Sequence, residues 1–175
     1  MEDQLLRMGT LPRHNHLVST FFGNIFPLFQ KKKLYPLQEN CYLAFYGKKY
    51  SNDERLVDPN TISDISILEE LDVIQPDFLL FQYNPYIQSP STIRTAGIPD
   101  LVVEVWSKSN DQLERNMKFR IYSSHPDCEH WYIEQDSNIV TCFKGKEPLP
   151  NQNLKDILHT TVGLKFDLTH LALNL

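Results

Sequence analysis

The chain has 175 residues, 41% of them apolar and 22% charged, the composition of an ordinary globular protein with one domain over 1–175 and core enough to need no staples. Seventeen Lys and Arg against 22 Asp and Glu give a net charge of −5, which argues against a basic, non-specific nucleic-acid coat but leaves room for a local patch. No apolar run nears the roughly 18 residues of a membrane span, and the opening MEDQLLRMGT has no apolar leader segment.

Residues 1–13 read as a short lead-in ending in Pro12. In LVSTFFGNIFPLF, Leu17, Phe21, Ile25 and Leu28 fall at helical spacing, widened by Val18, Phe22 and Phe29. Gly23 and Pro27 weaken the end of that helix, and Lys31–Lys33 read as a solvated basic end that complements the helix dipole, with a phosphate-facing patch as the alternative. CYLAFY (41–46) is strand-like. Residues 47–72 form a polar, turn-rich surface excursion. VIQPDFLLF is predicted as one buried strand with Asp77 near its start. Residues 84–97 read as a loop rich in Pro and Ser; it carries Arg94 and suits substrate contact. IPDLVVEVWS (98–107) is the strongest strand. Residues 110–123 read as a helix capped by Asn110, with Leu113, Met117 and Ile121 as its apolar stripe. HWYIEQ and NIVTCF pair around Asp136, Ser137 and Asn138, and GLKFDLTHLAL closes with a turn and a short helix. This order predicts an α/β or α+β fold, a mixed central sheet flanked by helices. Cys41, Cys128 and Cys142 lack a disulfide pattern; they read as reduced thiols of a cytoplasmic protein, each a small core hydrophobe.

Glu104 is the oddest residue. It lies within Leu101-Val102-Val103-Glu104-Val105-Trp106, where alternation puts Val102, Glu104 and Trp106 on one face and Leu101, Val103 and Val105 on the other. A carboxylate in a core strand is costly unless it is paired or metal-bound, and left alone it takes up a proton. Asp77 follows Pro76 at the start of another buried strand, 27 positions before Glu104. Two carboxylates on neighbouring strands suit one hard cation such as Mg²⁺, with the carbonyl of Val105 completing the protein's share. Asp100 is the rival first ligand, but four residues before Glu104 on one strand it lies roughly 13 Å away.

An Asp followed by a Glu and then an amine is the signature of PD-(D/E)xK nucleases. Their usual lysine lies two residues after the Glu, where this chain has Trp106; Lys118 stands 14 positions after Glu104 instead. That layout resembles the Uma-two family of restriction-endonuclease-like bacterial proteins. The matching segments are Arg13-His14-Asn15, the Pro-Asp of Val73–Phe81, PDLVVEVWS, Lys118 with Tyr122, EHWYI at 129–133, and the tail Val162–Leu173. Two departures stand out: Lys108 replaces a usual Pro, and the family's N-terminal acidic residue aligns only loosely with Glu2. The resemblance implies a metal-dependent endonuclease acting on nucleic acid, DNA first. Asp77 and Glu104 would bind Mg²⁺ or Mn²⁺, and Lys118 would orient or activate the attacking water. His14 matches a family position near that face, although a structural or capping role suits it equally.

Competing structural readings exist for each residue. Glu114 and Lys118 form a favourable i,i+4 surface pair. Glu104 could pair with Arg94 or Arg120, and Asp77 could cap a turn. His125, Cys128 and His130 are close enough in sequence for zinc but fit no finger spacing and lack a fourth ligand. Ser107 and Ser109 lack the partners of a nucleophile, and no phosphate-binding glycine motif occurs. The alternative function is a nuclease-fold binding or interaction module with little catalysis. A homodimer anchored by Trp106, Trp131 or residues 83–86 is a further possibility.

Overall fold

The apolar stripe near the start of the chain is the buried side of α1, Glu2–Lys32, in a computed structural model describing residues 2–32, 34–38, 43–45, 72–82, 86–88, 93–96 and 98–174. Leu17, Val18, Phe21 and Ile25 are buried, with Phe22 and Leu28 packed beside them. The helix starts earlier than the sequence reading has it: the supposed lead-in is helical through Pro12. Residues 2–8 are rich in strong helix formers, Glu, Gln, Leu, Arg and Met. Pro27 removes one intrahelical bond without ending the helix. The side chains of the basic run lie outside the described residues, as do Cys41 and 47–71 of the excursion expected over 47–72, whose last residue, Asp72, opens a strand.

Short strands follow: β1 (Tyr35–Gln38), β2 (Leu43–Phe45), β3 (Asp72–Ile74), β4 (Phe78–Phe81), β5 (Tyr86–Gln88), β6 (Ile93–Ala96) and β7 (Leu101–Trp106). Then come α2 (Gln112–Ser123), β8 (Glu129–Glu134), β9 (Ile139–Lys144), β10 (Glu147–Pro148), β11 (Gln152–Asn153), β12 (Leu158–His159), β13 (Lys165–Phe166) and a 3₁₀ turn at Thr169–Leu171. The main sheet runs β1-β4-β7-β8-β9-β10, with β11 also on β9. Among the described residues only β7 and β8 pair in parallel there, because α2 carries the chain back between them. A second sheet runs β3-β2-β6-β5. The fold is thus α+β with a mixed central sheet.

Two expected elements differ. VIQPDFLLF is two strands in two sheets, since Pro76 cannot donate to a ladder and the chain breaks there. The expected 84–97 loop contains the antiparallel pair β5 and β6; Ile87, Ile93 and Thr95 supply branched strand formers on either side of Ser-Pro-Ser-Thr.

Alternation along β7 sorts the core into two layers. Leu101, Val103 and Val105 face α1 with Phe78, Trp131, Ile133 and Phe166. Val102 faces α2 with Ile121, Tyr122, Cys128 and Tyr132, and Trp106, Phe119 and Phe143 lie half-buried at that layer's edge. The expected α2 stripe is corrected: Leu113 is 74% exposed and Met117 49%, and only Ile121 is buried. Asp111, not Asn110, caps the helix, its side chain accepting the Leu113 N–H, while Asn110 accepts the Ser107 N–H.

Arg13 ties α1 to the far end of the sheet. Its guanidinium donates to the carbonyls of Gln135 (2.6 Å), Ser137 (3.4 Å) and Leu171 (3.3 Å). Arg13→Ala strands these acceptors and should cost about 2 kcal/mol, read as a lower urea midpoint at unchanged m. A midpoint equal to wild type would show the clasp to be energetically idle.

Candidate metal and phosphodiester site

Glu104 sits mid-strand between β4 and β8, opposite Tyr132 in the parallel register, and is 1% exposed. Two groups one helical turn apart on α2 reach down to it. Lys118 Nζ lies 2.8 Å from Glu104 Oε2, and the Tyr122 hydroxyl donates to Oε1 at 2.5 Å. Burial, then the charge of Asp77, raises the Glu104 pKa to about 7 against the opposing pull of Lys118. Burial pulls the Lys118 ammonium down, but the carboxylates of Glu104, Asp77 and Glu114 outweigh it, and the net shift is upward. Lys118 therefore stays charged at neutral pH. It also donates to the Gln75 carbonyl at 3.2 Å and lies 3.5 Å from Glu114. With its side chain only 11% exposed, Lys118 is not the plain surface pair that the i,i+4 spacing allowed.

Asp77 is placed by the end of a ladder. β4 pairs with β7 as far as Phe78 opposite Val103. Two residues further back, Pro76 interrupts, and the Asp77 carboxylate itself accepts the Val105 N–H at 2.7 Å. Its other oxygen lies 3.2 Å from His14 Nε2, presented from inside α1. His14 is therefore an interior helical residue facing the site, not a residue at a helix start. Asp77, Glu104, Val105 and Lys118 all line one cavity of about 630 Å³, together with His14, Gln75, Trp106, Asn110 and Glu114.

The remaining sequence candidates resolve elsewhere. Asp100 is buried and accepts from the Gln82 backbone (2.8 Å) and side-chain amides; it holds the chain after β4. Arg120 lies at another surface hollow with Met117 and Ser124, and the Arg94 side chain is outside the described residues. His130 is buried between the Tyr132 hydroxyl and the Gly145 carbonyl, both at 2.8 Å, and burial lowers its pKa to about 4. It is a neutral core histidine. Cys128 and Cys142 are buried free thiols. Trp131 is a core residue, its Nε1 donating to buried Glu129, and so offers no dimer anchor. No helix among the described residues is long and apolar enough to cross a membrane.

The donor set suits a hard divalent cation. Asp77 and Glu104 present oxygens to one cavity, and Mg²⁺ commonly takes one or two carboxylates with water filling the rest. No group of three His, Cys, Asp or Glu side chains converges among the described residues, so a cation here would rest on the two carboxylates, with water and backbone oxygens making up the rest. The partners that sequence reasoning did not assign are Tyr122, as a donor to Glu104, and His14, as a neighbour of Asp77. The i,i+4 spacing of Lys118 and Tyr122 was the available signal for the first; the second depends on how α1 crosses the sheet.

Comparisons place this geometry in context. Residues 2–174 match the model of the Uma2 (Uma-two) family, described as "Putative restriction endonuclease". A crystal structure of a "putative nuclease belonging to DUF820" from Anabaena variabilis ATCC 29413 shares the fold with a TM-score of 0.56 at 13% identity, over 92% of this chain and 80% of that one. Comparison with curated proteins gives no match. With the match spanning nearly the whole sequence, the chain belongs to the Uma2 family of restriction-endonuclease-like proteins.

Proposed function

We propose that the chain is a metal-dependent endonuclease hydrolysing nucleic-acid phosphodiesters, DNA first, at the Asp77–Glu104–Lys118 cavity. The observation that carries this reading is convergence: three elements distant in sequence bring two carboxylates and a charged amine to one opening. Family membership and fold support the same class of chemistry. Asp77 and Glu104 would hold Mg²⁺ or Mn²⁺, with the Val105 carbonyl as a further oxygen. When bound, the ion would polarise the phosphodiester and offset charge on the leaving 3′ oxygen. Lys118 would orient the attacking water and balance phosphate charge from the helix side. Tyr122 fixes the rotamer of Glu104, and His14 fixes that of Asp77.

Two observations favour a second reading. Both oxygens of Glu104 already have protein donors, as a purely structural ion pair would, and the net charge is acidic. A nuclease-fold binding module, monomeric or dimeric, would look like this. Nicking of supercoiled plasmid with Mg²⁺ or Mn²⁺ separates the two. Wild type should nick only with added metal, and Asp77→Asn should fall by at least about a hundredfold. Absence of metal-dependent nicking by well-folded wild type would favour the binding module.

A further inference from the structure

A second cavity, of about 280 Å³, opens beside the first where α2 fails to cover the β7-β8-β9 face. Four of its lining residues are aromatic, Trp106, Phe119, Tyr132 and Phe143, beside polar ones such as Thr141 and Glu134. Trp106 and Tyr132 lie with ring centroids 4.4 Å apart, and Phe119 meets Phe143 edge-on at 5.1 Å. Trp106, Phe119 and Phe143 are only half-buried; Tyr132 and Arg115 already lie against Trp106 and buried His130 stacks on one side of Phe143, so a ligand would use the ring surface these contacts leave. The rim carries the exposed amides of Gln112 and Asn116, joined by a 3.0 Å bond from Gln112 Nε2 to Asn116 Oδ1. That bond leaves the Gln112 carbonyl as an acceptor and the Asn116 amide hydrogens as donors.

We propose that this cavity seats one unpaired nucleobase of the strand whose phosphodiester lies at Asp77 and Glu104. The proposal rests on the nuclease reading and adds a base-binding subsite to it. Size, charge and position each favour that occupant. The volume falls just below the roughly 300–1,000 Å³ of drug-sized ligands, which suits a single ring system. Among the described residues the one cation at the wall, Arg115, lies 4.6 Å over the Trp106 ring and is paired with Glu134 at 2.6 Å. The wall therefore offers little net charge to a phosphate and favours a neutral, planar, hydrogen-bonding ring. Trp106 also lines the Asp77–Glu104 cavity, so a base here and a phosphate there can belong to one strand. A paired base cannot reach such a seat; a single-stranded or extruded one can, held by stacking and by its hydrogen-bonding edge.

The test reads tryptophan fluorescence. The chain has two tryptophans; Trp131 is fully buried, leaving Trp106 as the reporter. Titration in EDTA with a short single-stranded oligodeoxyadenylate should quench it saturably. An abasic strand of equal length should bind about tenfold more weakly, and Phe143→Ala should lose about tenfold for the adenylate strand. Asn116→Ala, on the exposed face of α2, guards against a folding artefact and should also weaken adenylate binding. Equal affinity for adenylate and abasic strands, or unchanged binding by both variants, overturns the seat. So does sedimentation showing that Phe143→Ala abolishes self-association instead of strand binding. Plasmid nicking is scored separately: base-dependent quenching without nicking supports the seat and sinks the hydrolytic reading, and nicking without base dependence does the reverse.

Discussion

Glu104→Gln is expected to lower metal-dependent plasmid nicking by roughly a thousandfold while leaving the chain folded. The loss follows from removing the charge through which this carboxylate would hold a divalent cation, an effect worth several kcal/mol in the transition state. Folding should survive because the amide keeps the carboxylate's shape, and the Tyr122 hydroxyl can turn from donor to acceptor. The substitution leaves the Lys118 ammonium without the Glu104 charge, but Asp77 and Glu114 still offset it, and Glu104 is already partly protonated near pH 7, so stability should fall by only about 1–2 kcal/mol. The same residue sets the pH profile. Burial and Asp77 raise its pKa to about 7, and cation binding needs the deprotonated form. Wild-type nicking should therefore rise with pH through neutrality and fall below it, and excess Mg²⁺ should compete with that proton and move the midpoint down. A profile flat through neutrality, or full activity in Glu104→Gln, would remove this carboxylate from the chemistry.

The carboxylates were legible because each violates its surroundings. Glu104 interrupts six strand residues that are otherwise apolar, and alternation alone assigns it a face. Asp77 follows a proline at a strand start, which is where a ladder frees an N–H for a side chain to take. Lys118 was legible only through family resemblance, since a Lys four residues after a Glu is also an ordinary surface pair. α2 shows why its buried side was misread. Leu113, Met117 and Ile121 look like a core stripe, yet the helix turns Lys118, Ile121 and Tyr122 inward and leaves Leu113 and Met117 to solvent. The polar contact with Glu104 decides the rotation, and no apolar count registers it. The β5–β6 pair was hidden for a related reason: Pro and Ser dominate the local composition, while its partner strand β2 lies some fifty residues earlier in the chain.

Lys118→Met should destabilise the protein in a pH-dependent way, and the sign of that dependence is diagnostic. The folded pKa of Glu104, about 7, lies above its ordinary 4.5. Between those values the folded chain holds a proton that the unfolded chain has released. The Glu104 contribution to stability is thus full below about pH 4.5, declines as pH rises to about 7, and is flat above. Removing Lys118 deletes the charge and hydrogen bond that hold this pKa down. It then rises further, and stability keeps falling above pH 7 where wild type has levelled off. The gap between variant and wild type should be small near pH 5 and grow to about 3 kcal/mol under alkaline conditions, the cost of a buried charge left without its partner. Urea unfolding at the two pH values measures it. Adding Glu104→Gln to Lys118→Met should recover most of the alkaline loss, because no buried charge remains to be stranded. A loss equal at both pH values, or one the second substitution fails to recover, would mean that Lys118 stabilises the fold through the Gln75 carbonyl and Glu114 and not through the carboxylate beneath it.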